Sequence, residues 1–403
     1  MIDYDVIVVG GGPAGSTTAR RSAQQGLRVL LLDRECCPRV KPCAGGVVDP
    51  AREALDFSID RIVQRRINGQ TLHAPSGLQV DCSRPDESGV TVLRPDFDQL
   101  LLKKAEEAGA TVHEGDRVTK VKQDTSSVQV TTKEKKQYTA KYVVGADGVN
   151  SVVARQLGFY NGWKENSAAT AIEMEIEVGK ETVERVCAAV NNEDRTTLHI
   201  FFGPIPFGYA WCFPKKTILS IGAGCRQDKA LKLRENFKNW LKKFKKAHEI
   251  HSRTLSYSGA RLPFLEPAEI TVKNRAILVG DAAGFVNPFD GEGIQMAIRS
   301  GVIAAPVLKR AVESNDPSEL GQYETEWKTQ FDDLLTVGRK LAAVLYKSEK
   351  NMETVCQLGA EDAVINEIMF KMISSTDSYS ALYTQLRNRI LTKHPRAGVS
   401  LFR

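Results

Sequence analysis

Cys43 stands in a segment whose residue types could support chemistry, Cys43-Ala44-Gly45-Gly46. Nearby prolines and these glycines predict an open loop, and glycine allows a ligand to approach the backbone closely. The segment lacks a Cys-x-x-Cys pair and a nearby histidine, so no metal site is predicted. Two interpretations remain open for Cys43: its thiol faces a bound ligand, or it fills a small apolar space.

A second candidate site is the glycine turn that contains Gly10, Gly12 and Gly15. An apolar run precedes it and an alanine-rich segment follows, which predicts a strand, a turn and a helix. At this spacing the glycines allow a tight turn, close approach of a pyrophosphate and close helix–strand packing. Asp33 ends the next apolar run, 23 residues after Gly10, where an acid would bind a ribose hydroxyl. The pattern predicts dinucleotide binding; the alternative is a βα turn without a ligand.

Two later segments each resemble a buried strand that ends in a turn with an acidic residue. The first is Gly145-Ala146-Asp147-Gly148, and the second is Gly280-Asp281, which is followed by the segment from Pro288 to Ile294. A helix that begins at Gly293 and Ile294 would present N–H groups to an anion or a polarised carbonyl. Because these turns lie far apart in the sequence, we expect a discontinuous nucleotide-binding domain.

Aromatic and basic residues mark two further segments. Tyr209, Trp211 and Phe213 alternate, so they share one face of a predicted strand. That face is either ordinary core or the lining of a long apolar pocket. Lys229–Lys246 predicts a basic amphipathic helix, which either packs on its own protein or contacts a membrane interface.

Length and composition limit the class of protein. The chain has 403 residues, a net charge of +6 and eight cysteines in no regular framework. We expect two or three domains, a reducing cytoplasmic location and no structural metal. The mild basic charge does not indicate nucleic-acid binding, but it suits an anionic lipid or membrane surface. No apolar run approaches the roughly 18 residues of a transmembrane helix.

The predicted fold class is α/β (α+β), with three parts. A Rossmann-like domain comprises residues 1–60, 94–158 and 271–318, and a mixed-sheet substrate domain comprises 61–93 and 159–270. Residues 319–403 form a C-terminal helical region. Within these parts, the sequence predicts a helix at Gln99–Ala108. Residues 168–225 are strand-like, most clearly at Ala168–Val178, Thr197–Phe202, Tyr209–Phe213 and Ile218–Gly222.

The three acidic and glycine-rich motifs together resemble the glutathione-reductase-type FAD proteins of the para-hydroxybenzoate hydroxylase group, over about residues 1–310. Two further segments, Lys41–Gly46 and Tyr209-x-Trp211-x-Phe213-Pro214, are similar to those of geranylgeranyl reductases. Those flavoenzymes saturate C=C bonds of polyprenyl chains in ether lipids, chlorophyll side chains or prenyl quinones. The resemblance implies that Cys43 lies near the flavin ring and that Tyr209, Trp211 and Phe213 face the substrate. It also implies a set of FAD-binding residues: Gly10, Gly12, Pro13, Ala14, Gly15, Asp33, Arg34, Cys43, Ala44, Gly45, Gly46, Arg94, Val118, Asp147, Asp281, Gly291, Gly293 and Ile294.

The implied reaction needs a hydride, which reduced FAD would supply, and a proton. Cys43, a flavin-bound water and the flavin itself remain as proton donors, with a gating role for Cys43 as the alternative. The electron donor is NAD(P)H or a ferredoxin, since no second nucleotide-binding unit is visible. Two rival functions are an FAD-dependent monooxygenase of an aromatic or isoprenoid substrate and a membrane-associated protein that binds FAD or a prenyl lipid without catalysis.

Overall fold

The computed structural model describes residues 2–190, 192–374 and 378–402. Its strands, in chain order, are β1 (Tyr4–Val9), β2 (Val29–Leu32), β3 (Gly46–Val48), β4 (Val63–Ile67), β5 (Gly69–His73), β6 (Gln79–Ser83), β7 (Gly89–Val92), β8 (Thr111–His113), β9 (Val118–Gln123), β10 (Val128–Thr132), β11 (Gln137–Gly145), β12 (Ala168–Glu177), β13 (Ala188–Ala189), β14 (Asn192–Thr196), β15 (Leu198–Phe201), β16 (Gly208–Pro214), β17 (Ile218–Arg226), β18 (Arg253–Pro263), β19 (Val272–Lys273) and β20 (Ala276–Leu278).

The α-helices are α1 (Pro13–Gln24), α2 (Asp49–Glu53), α3 (Arg94–Glu107), α4 (Val152–Gln156), α5 (Lys180–Cys187), α6 (Leu233–Ala247), α7 (Ile294–Ser314), α8 (Gly321–Leu345), α9 (Glu349–Glu361), α10 (Ala363–Ser374), α11 (Tyr379–Lys393) and α12 (Pro395–Phe402). Short 3₁₀ turns lie at Asp60–Ile62, Glu165–Ser167, Gln227–Lys232, Gly280–Ala282 and Pro317–Leu320. Among the helices described, none is both long and apolar enough to cross a bilayer.

The first large sheet has the strand order β19-β20-β11-β1-β2-β8, in which the strands from β20 to β8 run parallel. A meander of β9 and β10 joins it at β11. Helices α1 and α7 pack closely because Gly301 has no side chain: a Cβ there would lie 2.7 Å from the Ala14 carbonyl oxygen. The predicted Rossmann-like unit is therefore present.

The second large sheet has the order β18-β12-β17-β16-β15-β5-β6 and is antiparallel except for the parallel pair β15–β5. Helices α5 and α6 bury apolar side chains against one face. Residues of α8, α9 and α10 pack against the other face, around β5 and β6. The fold thus combines the predicted Rossmann-like, mixed-sheet and C-terminal helical parts, which confirms the predicted α/β (α+β) class.

The strands of the first sheet come from three separate stretches, 4–32, 111–145 and 272–278. This arrangement agrees with a discontinuous nucleotide-binding domain, and the boundaries given above remain our assignment. A small antiparallel sheet, β3-β7-β4, joins the Cys43 segment to the second domain.

Three predicted elements differ from the structure. Helix α3 begins at Arg94 rather than Gln99, because Pro95 suits the first turn of a helix and does not delay it. Helix α5 interrupts the stretch predicted as strands; it buries Val183, Val186 and Cys187 on one side. The basic helix begins as a 3₁₀ turn, and α6 proper starts only at Leu233.

Candidate functional site

The first glycine turn contains one position that intramolecular packing does not require to be glycine. A Cβ at Gly10 would lie 2.3 Å from the Ala146 carbonyl oxygen, and a Cβ at Gly15 would lie 1.8 Å from the Gly10 carbonyl oxygen. Gly12 differs, because the nearest atom to its Cβ position is Arg39 Nη2 at 3.8 Å. Its φ of −78° suits any residue. The open space beside Gly12 is therefore not needed by another part of the chain and suits a ligand.

Gly12 also precedes the first residue of α1, where no side chain caps the helix. Pro13 and Ala14 form the first turn of that helix, with Ala14 buried. The free N–H groups and the positive end of the helix dipole suit a pyrophosphate. This arrangement fits the ADP part of FAD.

Asp33 lies at the carboxyl end of β2 and is buried. Its Oδ2 accepts a hydrogen bond from Gly11 N at 2.5 Å, and its Oδ1 accepts from Glu35 N at 2.8 Å. Arg39 Nη1 also contacts Oδ1 at 3.1 Å, so the loop after β2 returns to the glycine turn. Arg34 lies outside this network, where its exposed guanidinium pairs with Glu35. Its predicted cofactor contact stays a prediction.

The carboxylate of Asp147 is hydrogen-bonded within its own turn. It accepts hydrogen bonds from Ser151 Oγ at 2.5 Å and from Val152 N at 2.6 Å, at the start of α4. Burial raises the pKa of Asp147 above its ordinary value, although these hydrogen bonds oppose the rise. The motif meets the glycine turn through Ala146, whose backbone lies against Gly10. Val118 is buried in the core at the start of β9, which leaves its backbone for the predicted cofactor contact.

The third motif places Asp281 beside the start of α7. A Cβ at Gly293 would lie 3.8 Å from Asp281 Oδ1, and Gly293 itself has no side chain that could cap the helix. Ile294 opens α7 and is buried, and Gly291 precedes it with a φ of +76°. A Cβ at Gly280 would meet the Ala14 Cβ at 2.8 Å, so the first and third motifs are in contact.

The acids next to this helix start lie in a largely apolar setting. Burial raises the pKa of Asp290 to about 7 and that of Glu292 to about 8. Glu292 Oε1 accepts a hydrogen bond from Gln295 N at 2.6 Å, which fixes the first turn of α7. The side-chain oxygen of Gln295 is buried without a hydrogen-bond partner in the described structure.

The Cys43 segment is held by backbone contacts from distant strands. Cys43 N donates to Glu173 Oε2 at 3.0 Å, and Lys215 Nζ donates to the carbonyl oxygens of Ala44 and Val92 at 2.5 and 2.7 Å. Glycine is required at position 45, where φ is +74° and a Cβ would lie 2.2 Å from the Val92 oxygen.

The thiol of Cys43 lies beside the guanidinium of Arg94. Arg94 is buried and forms a two-pronged ion pair with Asp98, at 2.9 and 3.0 Å. Such a pair fixes the guanidinium plane. The structure thus brings together the predicted residues Cys43, Ala44, Gly45, Gly46 and Arg94.

The aromatic strand β16 continues the site from this loop. A Cβ at Gly46 would lie 3.1 Å from the Phe213 ring, and the rings of Tyr209 and Trp211 lie 6.0 Å apart. Tyr209 donates a hydrogen bond from its hydroxyl to the Asp290 carbonyl oxygen, next to the third motif. Tyr209, Trp211 and Phe213 therefore span the distance between the Cys43 loop and the start of α7.

Four residues of this site are absent from the sequence predictions: Arg39, Glu173, Lys215 and Tyr346. Tyr346 stacks on Tyr209 with ring centroids 6.4 Å apart and donates to the Phe289 carbonyl oxygen at 2.8 Å. The sequence does contain one local signal for Lys215, because this basic residue directly follows Phe213-Pro214 at the end of the aromatic segment. Glu173 and Tyr346 lie in segments without a motif, so only tertiary structure reveals them.

Residues 3–337 match the sequence pattern of the FAD binding domain family. The chain is 30% identical to digeranylgeranylglycerophospholipid reductase 2 of Methanothermobacter thermautotrophicus, over 97% of both chains. It is also 30% identical to geranylgeranyl diphosphate reductase of Rhodobacter capsulatus, over 91% of this chain and 90% of that protein.

A solved structure of a geranylgeranyl bacteriochlorophyll reductase-like protein from Thermoplasma acidophilum superimposes with a TM-score of 0.81 and 24% identity, over 96% of this chain and 98% of that one. The flavin-dependent brominase Bmp2 shares the fold with a TM-score of 0.75 and 18% identity, over 96% and 98% of the two chains. The open space at Gly12 and the uncapped start of α1 fit FAD, as the family requires. The chain therefore belongs to the geranylgeranyl reductase family of FAD-dependent oxidoreductases.

Proposed function

We propose that this enzyme reduces the C=C bonds of a geranylgeranyl chain carried by a lipid with an anionic headgroup. The observation that supports the proposal most strongly is the contact between the Cys43–Gly46 loop and the aromatic strand β16, beside the motifs that fit FAD. The relatives named above act on geranylgeranyl groups, which supports the same substrate class.

The chain's own residues orient the reacting groups. Glu173 and Lys215 fix the backbone of the Cys43–Gly46 loop. Tyr209, Trp211 and Phe213 present apolar surface along which a flat, branched prenyl unit can lie. When bound and reduced, FAD supplies the hydride that adds to the double bond.

The rest of the prenyl chain needs an apolar slot. A largely apolar cavity extends from the loop toward the C-terminal helices; its lining includes Gly46, Val48, Ile67, Leu198 and Phe370. Because Gly46 also lies against Phe213, this cavity is adjacent to the aromatic strand. Its volume is about 40 Å³, so we assign it to one end of the prenyl tail only.

We also propose that the enzyme contacts an anionic membrane surface through the charged side of α6. The apolar side of that helix is buried against its own sheet, where Leu233, Phe237 and Phe244 pack. The exposed lysines of α6 remain available, and Leu231, which is 97% exposed, lies directly before them. This contact would therefore be electrostatic, with little insertion of the helix.

The proposed reaction predicts that the substrate alone reoxidises the flavin. The enzyme would be reduced with dithionite without oxygen and mixed with a digeranylgeranyl glycerophospholipid, while the flavin absorbance is followed. The control is the matching lipid with fully saturated phytanyl chains. We expect the oxidised flavin spectrum to return with the unsaturated lipid only, after which NADPH, NADH and a ferredoxin can be compared as donors.

Persistent reduced flavin with both lipids would contradict the proposal. The reduced enzyme would then be exposed to oxygen with aromatic and isoprenoid substrates. Substrate-dependent formation of a hydroxylated or epoxidised product would establish the monooxygenase function instead.

A further inference from the structure

A row of polar side chains crosses the second sheet behind the Cys43 loop. Along this row, Trp211 is paired with Gly222, Gly222 with Glu173, and Glu173 with Ser258 on the edge strand β18. These residues point to the same face, since directly opposite positions in a sheet share a face. The row therefore leads from the sheet edge to the aromatic strand.

Glu173 occupies the centre of this row and is 3% exposed. Its Oε1 accepts a hydrogen bond from Ser220 Oγ at 2.8 Å, and its Oε2 accepts from Cys43 N at 3.0 Å. Two atoms that flank it in the row, Trp211 Nε1 and Ser258 Oγ, are buried without a hydrogen-bond partner among the described residues. Buried polar atoms of this kind are rare and call for a functional explanation.

The charged groups around Glu173 favour the protonated, neutral form of its carboxyl group. Glu175 lies two residues along the same strand face, and its Oε2 is buried without a partner in the described structure. The ammonium of Lys215 is engaged by two carbonyl oxygens, and Arg94 is engaged by Asp98. Two neighbouring carboxyl groups in a dry site rarely ionise together.

We infer that Glu173 holds the proton that the reduction of the double bond consumes and passes it to the thiol of Cys43, which in turn gives its own proton to the double bond. In this reaction the double bond gains a hydride from the reduced cofactor, which loses two electrons, and a proton. Glu173 passes from carboxylic acid to carboxylate, and a proton from solvent restores the acid. The Ser220 hydroxyl can accept from the acid and donate to the carboxylate. Glu173 thus supplies the proton through Cys43 and does not itself touch the substrate.

The acid–base behaviour of Glu173 is consistent with this role. Burial, followed by the charge of Glu175, raises its pKa to about 7, against the lowering effect of Ser220, Cys43 N–H and Lys215. Its acid form is therefore populated below about pH 7 and lost as the pH rises further. The same burial lowers the pKa of Lys215.

Glu173→Gln separates proton supply from anchoring of the loop. The amide oxygen still accepts from Cys43 N, and the amide nitrogen can donate to Ser220, but the group carries no transferable proton. We expect alkene reduction in a single anaerobic turnover to slow at least about 100-fold, the scale of a lost acid. Dithionite reduction and FAD affinity should not change. Glu177→Gln, on the same strand outside the row, is the matched control.

The pH profile and an infrared measurement test the proton itself. Wild-type alkene reduction should fall above about pH 7, and Glu173→Gln should lose that dependence. The infrared difference between the wild type and Glu173→Gln should contain a protonated carboxyl band that disappears as the pH rises through about 7. Asp290 and Glu292 also titrate near this range, but they contribute equally to both proteins and cancel in the difference. This readout does not need turnover of the enzyme.

Normal turnover by Glu173→Gln, with a defect only in Glu173→Ala, would show that Glu173 merely anchors the loop and would overturn the inference. The inference rests on the proposed reductase function, and the two can fail separately. If the wild type reduces no prenyl lipid, the function is wrong whatever the infrared band shows. If it reduces the lipid and the band is missing, only the proton role is wrong.

Discussion

At the scale of single residues, a substitution of Gly12 tests cofactor binding without disturbing the fold. Its Cβ position is open and its backbone is unstrained, whereas Gly10 and Gly15 are enclosed by backbone. We expect Gly12→Ala to keep the wild-type circular dichroism spectrum and melting temperature. It should lose FAD affinity by at least about tenfold, or about 1.4 kcal/mol, because the methyl group occupies the pyrophosphate position.

The matched control for Gly12→Ala is Gly321→Ala, whose Cβ would meet no described atom within 4 Å and which lies in α8. Titration of the apoprotein with FAD, followed by flavin fluorescence, measures both variants. Wild-type FAD affinity in Gly12→Ala would contradict the assignment of the glycine turn to the cofactor.

The sequence predicts the positions of the glycines and of Cys43 but not the surroundings of Cys43. Glycine spacing is local information, since strand, turn and helix are adjacent in the chain. The contacts of Cys43 with Glu173 and of Ala44 with Lys215 join residues 130 and 171 positions apart. Only the pairing of β12, β16 and β17 brings those side chains to the loop, and no local pattern encodes that pairing.

At the scale of elements, the strand pair β16–β17 fixes the place of Trp211. A Cβ at Gly222 would lie 2.2 Å from Trp211 Cζ2 and 2.5 Å from the Ile172 carbonyl oxygen, whereas a Cβ at Gly224 would make contacts of 3.4 Å or more. We expect Gly222→Ala to displace the indole, to cost about 1–3 kcal/mol of unfolding free energy and to slow turnover of prenyl lipid.

Gly224→Ala serves as the control because it adds the same methyl group on the same strand in ordinary contact distance. Urea unfolding and single-turnover rates would be compared for the two variants. Equal rates in both would show that the position of Trp211 does not matter for the substrate.

Elements were predicted best where a single pattern extends over many residues. The glycine turn with its helix and the aromatic strand follow from clear periodicity, and the structure contains both. Helix α5 differs from the prediction because it is only eight residues long and lies between strands, although its buried residues Val183, Val186 and Cys187 have the i, i+3, i+4 spacing of a helix. Pro95 led to a late predicted start for α3, although proline is compatible with a first helical turn.

At the scale of the whole molecule, the exposed charge of α6 predicts salt-sensitive membrane binding. The combined substitution of Lys238, Lys242, Lys243 and Lys246 by Glu should weaken binding to anionic vesicles by at least about tenfold, since each lysine near such a surface contributes about 1 kcal/mol. Binding of the wild type should fall as salt rises. Vesicle co-sedimentation measures both effects.

The control exchanges four exposed lysines elsewhere, Lys103, Lys120, Lys122 and Lys133, for Glu and so has the same net charge. Equal loss in both variants would mean that overall charge, not α6, determines binding. Unchanged binding in the α6 variant would contradict the proposed membrane contact.

The C-terminal region contains a residue of the proposed site that no sequence motif indicates. The helical pattern after residue 320 was recognised, but it gave no functional residue. In the structure Tyr346 of this region stacks on Tyr209, and α8 to α10 cover one end of the aromatic sheet. The proposed substrate site thus includes a residue from a region whose own sequence resembles any packed helix.

The mass of the lipid product tests the central claim most directly. Wild-type enzyme, reduced without oxygen, would be incubated with a digeranylgeranyl lipid, and the extracted lipid would be analysed by mass spectrometry. Our account predicts species heavier by two hydrogens for each double bond reduced, in step with flavin reoxidation. An unchanged lipid mass, or a gain of one oxygen atom after air is admitted, would contradict it.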